Sequence, residues 1–294
     1  MSDVLKLCNV TKSYSDFTLD NVSFSVPKGC ICGFIGQNGA GKTTTIQLIL
    51  DIIKKDSGSI EVMGKDMTTD GVALKEQIGV VYDEMGFHEF LTPNEINSIM
   101  KNIYKNWQQE TFFDYLKRFS LPRKKKCGTF SRGMRMKLQI AVALSHNASL
   151  LIMDEPTSGL DPIVRNEMLQ IFQEFVMNEE HTILLSSHIT GDLERIADMV
   201  VFIDHGKIIL SGNKDEILEQ HALIKCKKEE LSSIDKEDIV SVRQSGFSTE
   251  VLIRDKEKCG KKYADKVIDS IGLEDIMIFY VNREMEKNNG GTDL

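Results

Sequence analysis

Eight consecutive residues near the start of the chain have the types and spacing needed to hold a phosphate group. Residues 36–43 read GQNGAGKT and fit the pattern G-x-x-x-x-G-K-[ST]. Glycines in such a run let successive backbone N–H groups point inward at an anion, and a helix that begins there adds the positive end of its dipole. We expect Lys42 to reach the β- and γ-phosphates of a nucleotide and the Thr43 hydroxyl to bind Mg²⁺.

The surrounding sequence gives this loop the context that it needs. Residues 30–35 form a short apolar run typical of a buried strand, and Ile46, Ile49 and Leu50 recur at helical spacing after it. The pattern therefore predicts a turn from a strand into a helix, with the start of the helix facing the phosphate.

Two carboxylates follow directly on another apolar run, residues 150–153, which is also typical of a buried strand. Carboxylates at the carboxyl end of a buried parallel strand are costly unless they serve a metal or a reaction, and open α/β sheets bind ligands at that edge. We expect Asp154 to hold Mg²⁺ through water and Glu155 to orient and polarise an attacking water. The alternative is that both are solvated loop acids.

Three more side chains could contribute to the same chemistry. His188 ends the apolar strand predicted at residues 182–187, which delivers its imidazole to the edge that carries Asp154. Ser131 is a natural N-cap, and the helix start behind it could bind an anion or could simply be capped. Tyr14, on the loop between two early strands, could stack on a purine ring or pack on the sheet.

Composition and charge limit the class of protein. The chain has 294 residues, of which 41% are hydrophobic and 27% are charged, as in ordinary globular proteins; one large domain, or one of about 200 residues with a smaller companion, is expected. The net charge of −8 argues against a general nucleic-acid binder. The six cysteines are scattered and predict buried thiols in a reducing compartment.

The sequence predicts neither a membrane span nor a secretion signal. No apolar stretch approaches the roughly 20 residues that a span needs, and the N-terminus lacks a basic segment followed by an apolar one. We therefore expect a cytoplasmic protein that reaches a membrane only through a partner.

In their order along the chain, these motifs resemble those of the nucleotide-binding subunit of an ABC transporter, over residues 1–217. Residues 36–43 look like the Walker A motif, 150–154 like Walker B, 130–134 like the signature loop and 158–161 like the D-loop. The resemblance implies the following site residues: Glu155 and His188 in catalysis; Tyr14, Gly36, Asn38, Gly39, Ala40, Gly41, Lys42, Thr43, Thr44, Ser131, Gly133 and Asp161 in ATP binding; and Thr43, Asp154 and Asp83 in Mg²⁺ binding.

The chain departs from the family pattern at two places. The signature loop usually reads Leu-Ser-Gly-Gly-Gln, but here Arg132 and Met134 replace the first Gly and the Gln. The Q-loop normally has a Gln where this chain has Asp83, whose carboxylate could bind Mg²⁺ but cannot donate a hydrogen bond. Such variants resemble the bacterial subfamily that pairs with ABC-2 type permeases, often in export or antibiotic resistance.

The resemblance implies a fold, a reaction and partners. The fold is α/β: a P-loop NTPase core with an antiparallel β subdomain and a helical signature subdomain at about residues 86–147. Two subunits, identical or related, are expected to dimerise head to tail, so that ATP bound by Lys42 of one copy meets Ser131 of the other, and to drive integral membrane permease subunits from the inner face of the cell membrane. The alternatives are a soluble ABC protein of translation or DNA repair and a regulatory partner that does not hydrolyse ATP.

Residues 218–294 are expected to form a small α+β accessory domain. Apolar patterns predict strands at 222–225, 239–242, 251–253 and 276–281, a helix at 263–271, and a frayed end at 287–291. The accessory domain could support the dimer or regulate it, or it could be a passive extension.

Earlier in the chain, a helix is predicted from Thr92 to about Arg118, with Thr92 and Glu95 at capping-box spacing.

Overall fold

A computed structural model describes residues 3–84, 86–245 and 248–288, with the side chains of residues 245 and 284–288 outside the description. The frayed end predicted at 287–291 therefore lies mostly outside the described residues. The described chain forms two compact units. The first comprises the residues up to 189 together with 196–211, and the second comprises 190–195 and the residues from 212 onward.

The strands of the first unit form two sheets. Within the described residues these strands are β1 (Asp3–Ser13), β2 (Thr18–Pro27), β3 (Ile31–Ile35), β4 (Ser57–Val62), β5 (Lys65–Asp66), β6 (Ile78–Val81), β7 (Leu150–Asp154), β8 (Thr182–Ser187), β9 (Met199–Asp204) and β10 (Lys207–Asn213). One sheet is antiparallel, in the order β2-β1-β4-β5, and its side chains alternate between buried and exposed along β2.

The second sheet positions the functional edge of the molecule. Its order is β10-β9-β3-β8-β7-β6, and the strands from β9 to β6 pair in parallel. Strands β3, β7 and β8 are buried along their whole length, as the apolar runs within their sequences predict. Because these neighbours run in the same direction, the residues that follow their carboxyl ends gather at one edge of the sheet.

Helices cover the parallel sheet and extend the first unit. They are α1 (Lys42–Ile49), α2 (Met67–Lys75), α3 (Pro93–Ile103), α4 (Gln109–Arg118), α5 (Arg132–Leu144) and α6 (Pro162–Val176). Helix α1 follows β3 directly, and one apolar core joins it to both sheets through residues such as Leu7, Phe34, Ile46 and Ile152. This arrangement confirms the predicted α/β core with its antiparallel β subdomain.

The prediction of a single helix from Thr92 to about Arg118 is wrong, because the structure has two helices there, α3 and α4. Tyr104 ends α3 in an extended conformation, and its ring stacks on His146 at a centroid distance of 4.0 Å. The Gln108 N–H then donates to Ser145 O at 2.7 Å, outside any helical pattern. The chain therefore turns at this point because two of its residues pack against the end of α5.

The second unit has its own sheet and its own core. Helix α7 (Thr190–Ile196) contributes most of its length to this unit, and the later elements are α8 (Lys214–Gln220), β11 (His221–Cys226), β12 (Ile239–Ser245), β13 (Ser248–Arg254), α9 (Lys256–Lys262), β14 (Val267–Asp269) and α10 (Leu273–Asn288). The sheet is antiparallel, in the order β12-β13-β11-β14. Buried side chains from β11, β13 and α9 form its core.

Two of the predictions for this region are wrong. The helix expected at 263–271 is replaced by α9, which ends just before Tyr263, and by the short strand β14. The strand expected at 276–281 lies inside α10. Ile276, Phe279 and Tyr280 are buried at positions i, i+3 and i+4, so the apolar run has the spacing of one helix face although its residue types favour strands.

Candidate functional site

The phosphate loop joins β3 to α1 and depends on its glycines for shape. Gly39 and Gly41 have φ angles of 84° and 113°, a region that side chains disfavour. Gly41 is the N-cap of α1 and provides no side-chain cap, so the first turn of the helix presents uncapped N–H groups. Asn38 and Gly39 are exposed, whereas Ala40 is buried. This geometry is that of an anion cradle.

Lys42 is buried at the base of this loop. Its ammonium donates to Gly36 O at 2.8 Å and to Gln37 O at 3.2 Å, and it lies 3.1 Å from Glu155 Oε1. A buried cation needs such partners, because water cannot solvate it. The partners join Lys42, at the start of α1, to the carboxylate that follows β7.

Asp154 is the centre of a second set of hydrogen bonds at the same edge. The Thr43 hydroxyl donates to Asp154 Oδ2 at 2.8 Å, and the Ser186 hydroxyl donates to Oδ1 at 2.5 Å. Thr43 is exposed and its neighbour Thr44 is half-buried. Two elements, α1 and β8, therefore place hydroxyl oxygens around the carboxylate that ends β7.

Glu155 connects the phosphate loop to His188. Its φ angle of 51° is uncommon for a residue with a side chain, and its N–H is held by Ser186 O at 3.2 Å and Ser186 Oγ at 3.1 Å. One carboxylate oxygen faces Lys42, and the other lies 2.7 Å from His188 Nδ1. Strained backbone held by its neighbours is typical of functional sites. The structure thus brings Lys42, Glu155 and His188 into one contiguous group.

The signature loop and D-loop residues have other surroundings. Ser131 is the N-cap of α5 and accepts a hydrogen bond from Met134 N at 3.3 Å, while Asp161 caps α6 through Ile163 N and Val164 N at 3.0 Å each. Ser131 and Asp161 are exposed and Gly133 is half-buried. No hydrogen bond between described residues joins Ser131 or Asp161 to the phosphate loop.

No hydrogen bond or ion pair between described residues joins Tyr14 or Asp83 to the group of Lys42, Glu155 and His188. Tyr14 is in the turn between β1 and β2, with its ring half exposed and the Lys12 ammonium 5.7 Å from the ring centroid. Asp83, after β6, forms an ion pair with Arg132 of the signature loop and has no hydrogen bond to Thr43 or Asp154 within the described chain. The role of Asp83 in Mg²⁺ binding stays a prediction.

Sequence reasoning missed two residues that hold this edge together. Ser186 bonds both Asp154 and the Glu155 backbone; a polar residue at the end of an apolar strand, two positions before His188, was the available signal. Gln139 of α5 donates to Tyr82 O at 3.0 Å and accepts from Tyr82 N at 3.3 Å, which fixes the end of β6. Burial, and then the charge of Asp154, raise the pKa of the Tyr82 phenol, so this side chain stays neutral.

The residues present fit a nucleotide with Mg²⁺. The Thr43 hydroxyl and the Asp154 carboxylate supply adjacent oxygen ligands of the kind that Mg²⁺ prefers. Outside the masked positions, no group of three or more His, Cys, Asp or Glu side chains could hold a metal by itself. An ion here would need further oxygen ligands, which phosphates and water supply. Glu155 Oε1, buried and without a hydrogen-bond donor, leaves an acceptor facing Lys42.

No helix among the described residues is long and apolar enough to cross a membrane.

Comparisons with known proteins agree on the family. A family model described as ABC transporter matches residues 19–158. The bacitracin transport ATP-binding protein BcrA of Bacillus licheniformis is 38% identical over 212 residues, which are 71% of this chain and 69% of that protein. The linearmycin resistance ATP-binding protein LnrL of Bacillus subtilis (strain 168) is 31% identical over 281 residues, 92% of this chain and 90% of that protein.

Solved structures lead to the same family. The ATP-binding subunit of an ABC transporter superposes with a TM-score of 0.65 at 28% identity, covering 73% of this chain and 91% of that one. An ATP-binding cassette in its ADP conformation superposes with a TM-score of 0.63 at 26% identity, covering 74% of this chain and 93% of that one. The predicted family, fold class and ATPase activity are confirmed. The chain belongs to the ABC transporter family, as an ATP-binding subunit that hydrolyses ATP.

Proposed function

We propose that this chain closes with a second ATP-binding subunit around Mg²⁺-ATP and drives a separate membrane permease that works as an exporter. The observation that carries the proposal is the continuous set of contacts from Lys42 through Glu155 to His188 beside the Thr43–Asp154–Ser186 hydrogen bonds. These contacts put a phosphate-binding cation, a carboxylate for water and oxygen ligands for a metal at one sheet edge.

In the nucleotide complex, Lys42 exchanges its backbone and Glu155 partners for the β- and γ-phosphate oxygens. The uncapped N–H groups at the start of α1 bind the same phosphates. Thr43 and Asp154 would hold Mg²⁺, which would neutralise charge on the β- and γ-phosphates. Ser186 keeps Asp154 oriented for this role because it donates to one of its two oxygens.

Release of Lys42 frees Glu155 to accept a hydrogen bond from a water molecule. The water oxygen forms a bond to the γ-phosphorus as the bond between that phosphorus and the bridging oxygen breaks, and ADP leaves with the bonding electron pair. The water protons end on phosphate oxygens and solvent. His188, 2.7 Å from Glu155, fixes the carboxylate and reaches the γ-phosphate.

Each nucleotide is completed by the partner subunit in this proposal. Ser131 and Gly133 begin a helix whose positive end can meet a phosphate, and Ser131 and Asp161 are exposed for contact with another chain. Asp161 would contact the facing nucleotide site, and Tyr14 would stack on the adenine with its exposed ring. The second subunit is a copy of this chain or a related one.

Two relatives support the export role. One is named for bacitracin transport and another for linearmycin resistance. The match to this chain covers more than two thirds of the length of each relative. We infer a permease of separate chains at the inner face of the cell membrane, with an antimicrobial compound as cargo.

The test is Glu155→Gln, a variant of nearly the same shape that removes the carboxylate charge. We expect kcat for ATP hydrolysis to fall at least about a hundredfold, because a positioned base contributes roughly 10²–10⁴. ATP affinity should stay within twofold, and the variant should elute as a dimer in ATP. Lys42→Ala should lose ATP affinity in a fluorescent-nucleotide titration.

Glu110→Gln is the matched control, since Glu110 is an exposed acid in the first turn of α4. Its turnover should equal that of the parent. Hydrolysis by Glu155→Gln at the parent rate would remove Glu155 from the proposed role.

A further inference from the structure

The two positions at which this chain departs from the usual motifs contact each other. Arg132, in the signature loop, forms an ion pair through Nη2 with Asp83 Oδ1, although 49 positions separate the two residues. Each side chain is about half exposed, at 49% and 48%. The departures are therefore one feature of the structure.

The same guanidinium also packs against the turn that follows Glu155. A Cβ added at Gly159 would lie 3.0 Å from Arg132 Cζ and 3.0 Å from Nη1, so the guanidinium occupies the space that a side chain there would need. Gly159 has a φ angle of 65°, and its turn runs from Glu155, whose carbonyl accepts from Ser158 N at 3.2 Å, to the cap residue Asp161. Arg132 thus touches the segments after both β6 and β7.

The helix that Arg132 begins is already fixed to the same strand end. Gln139, two turns along α5, binds both backbone groups of Tyr82, the residue before Asp83. Arg135 holds the loop in front of the helix, because its guanidinium donates to Phe130 O and to Gly128 O at 3.1 Å each. Arg132 is the first residue of α5 and directly follows the N-cap Ser131.

We propose that Arg132 is a positioning residue, which with Asp83 as its counter-charge and Gly159 as its packing surface fixes Ser131 for the partner subunit's nucleotide. The inference rests on the proposed function, because the readout is turnover by the ATP-bound dimer. An arginine suits this place because its flat guanidinium can pair with a carboxylate at its edge and lie against a glycine with its face, which a lysine ammonium cannot do.

A double-mutant cycle on the full chain tests the pair. Arg132→Gly and Asp83→Gln should each lower kcat about two- to fivefold, the range that a half-exposed ion pair supports. The double variant should be no slower than the slower single variant, since the second change removes a contact already lost. The exchange Asp83→Arg with Arg132→Asp should recover kcat only in part, because the charges pair again but the guanidinium contact with Gly159 is lost.

Two further measurements separate positioning from a general structural role. ATP affinity in a fluorescent-nucleotide titration should stay within twofold for every variant, because none touches the phosphate loop. Arg132→Lys should recover kcat only partly, since it keeps the charge but loses the flat contact with Gly159. Thermal unfolding checks that each variant is folded.

The matched control is Arg118 with Glu174, another exposed ion pair of the first unit, which is joined by two hydrogen bonds of 2.8 and 2.9 Å. Arg118→Ala should leave kcat unchanged. Losses that multiply in the Asp83–Arg132 double variant, or a charge exchange as slow as Arg132→Gly, would overturn the positioning role. A parent chain with no ATPase activity, or one insensitive to Glu155→Gln, would instead overturn the proposed function.

Discussion

Position 36 has no room for a side chain. A Cβ there would lie 2.5 Å from Ile203 O and 3.0 Å from Ile203 Cγ2, where β9 passes the phosphate loop. A backbone oxygen in a buried strand cannot move aside as a flexible side chain can. The glycine at this position is therefore required for the shape of the loop. The carbonyl of Gly36 also accepts a hydrogen bond from the Lys42 ammonium.

We predict that Gly36→Ala weakens ATP binding at least tenfold and lowers the free energy of unfolding by about 1–3 kcal/mol, as overpacking does. Fluorescent-nucleotide titration and urea unfolding measure the two effects. The control is Gly71→Ala in helix α2, where no atom lies within 4 Å of an added Cβ. That change should stabilise the protein by about 0.5–1 kcal/mol. Parent-like ATP binding by Gly36→Ala would contradict the argument.

Local patterns at this scale predicted residue types but not partners. The pattern at 36–43 identified Lys42 and Thr43, and the observed hydrogen bond from Thr43 to Asp154 agrees with the two being used together. The Ser186–Asp154 and Arg132–Asp83 contacts join residues 32 and 49 positions apart. Such contacts depend on how strands and helices assemble, so a single sequence does not contain a local signal for them.

At the scale of elements, the start of helix α3 is a capping box. Glu95 N donates to Thr92 Oγ1 at 3.3 Å, and Thr92 N donates to Glu95 Oε2 at 2.8 Å, with Pro93 in the first turn. The sequence predicted this motif correctly, because capping is decided by residues only three positions apart.

Thr92→Ala should lower the free energy of unfolding by about 1 kcal/mol, because it leaves an N–H group of the first turn without its acceptor. Urea unfolding of the full chain measures the change. Thr92→Ser keeps the hydroxyl and should stay within about 0.5 kcal/mol of the parent. Equal losses for both variants would mean that the methyl group, not the cap, matters.

Element boundaries were harder to predict where tertiary contacts decide them. The break between α3 and α4 depends on Tyr104 stacking on His146, which lies far along the chain. In the second unit, the run from Ile276 to Tyr280 has strand-like residue types, and only the packing of one face shows it to be part of α10. Strands with unbroken apolar sequences, such as β7, were predicted well because burial on both faces leaves a plain local pattern.

At the scale of the molecule, the second unit includes residues 190–195, which precede the last segment of the first unit in the sequence. Helix α7 begins two residues after His188, and its Glu194 accepts from Leu273 N at 3.1 Å, at the start of α10. Lys214 donates to the Glu194 carbonyl at 2.9 Å, and Thr190 donates to Glu274 at 3.4 Å. Helix α7 therefore belongs mostly to the second unit, although it precedes residue 212 in the chain.

We predict that a chain ending after Ser211 unfolds at a temperature at least several degrees lower and hydrolyses ATP more slowly, because α7, which follows His188 in the sequence, then lacks its partners in α10. Differential scanning calorimetry and steady-state ATPase assays measure both. A chain that ends after residue 288 is the control and should match the parent. Full stability and activity after truncation at Ser211 would make the second unit a passive extension.

The place of α7 also bears on how the protein is made. Residues leave the ribosome in order, and Glu194 emerges 79 positions before Leu273. At a synthesis rate of about 5–20 residues per second, Leu273 is added roughly 4–16 s after Glu194. During this interval α7 of the newly synthesised chain lacks its hydrogen-bond partner in α10, so the second unit completes its fold only late in synthesis.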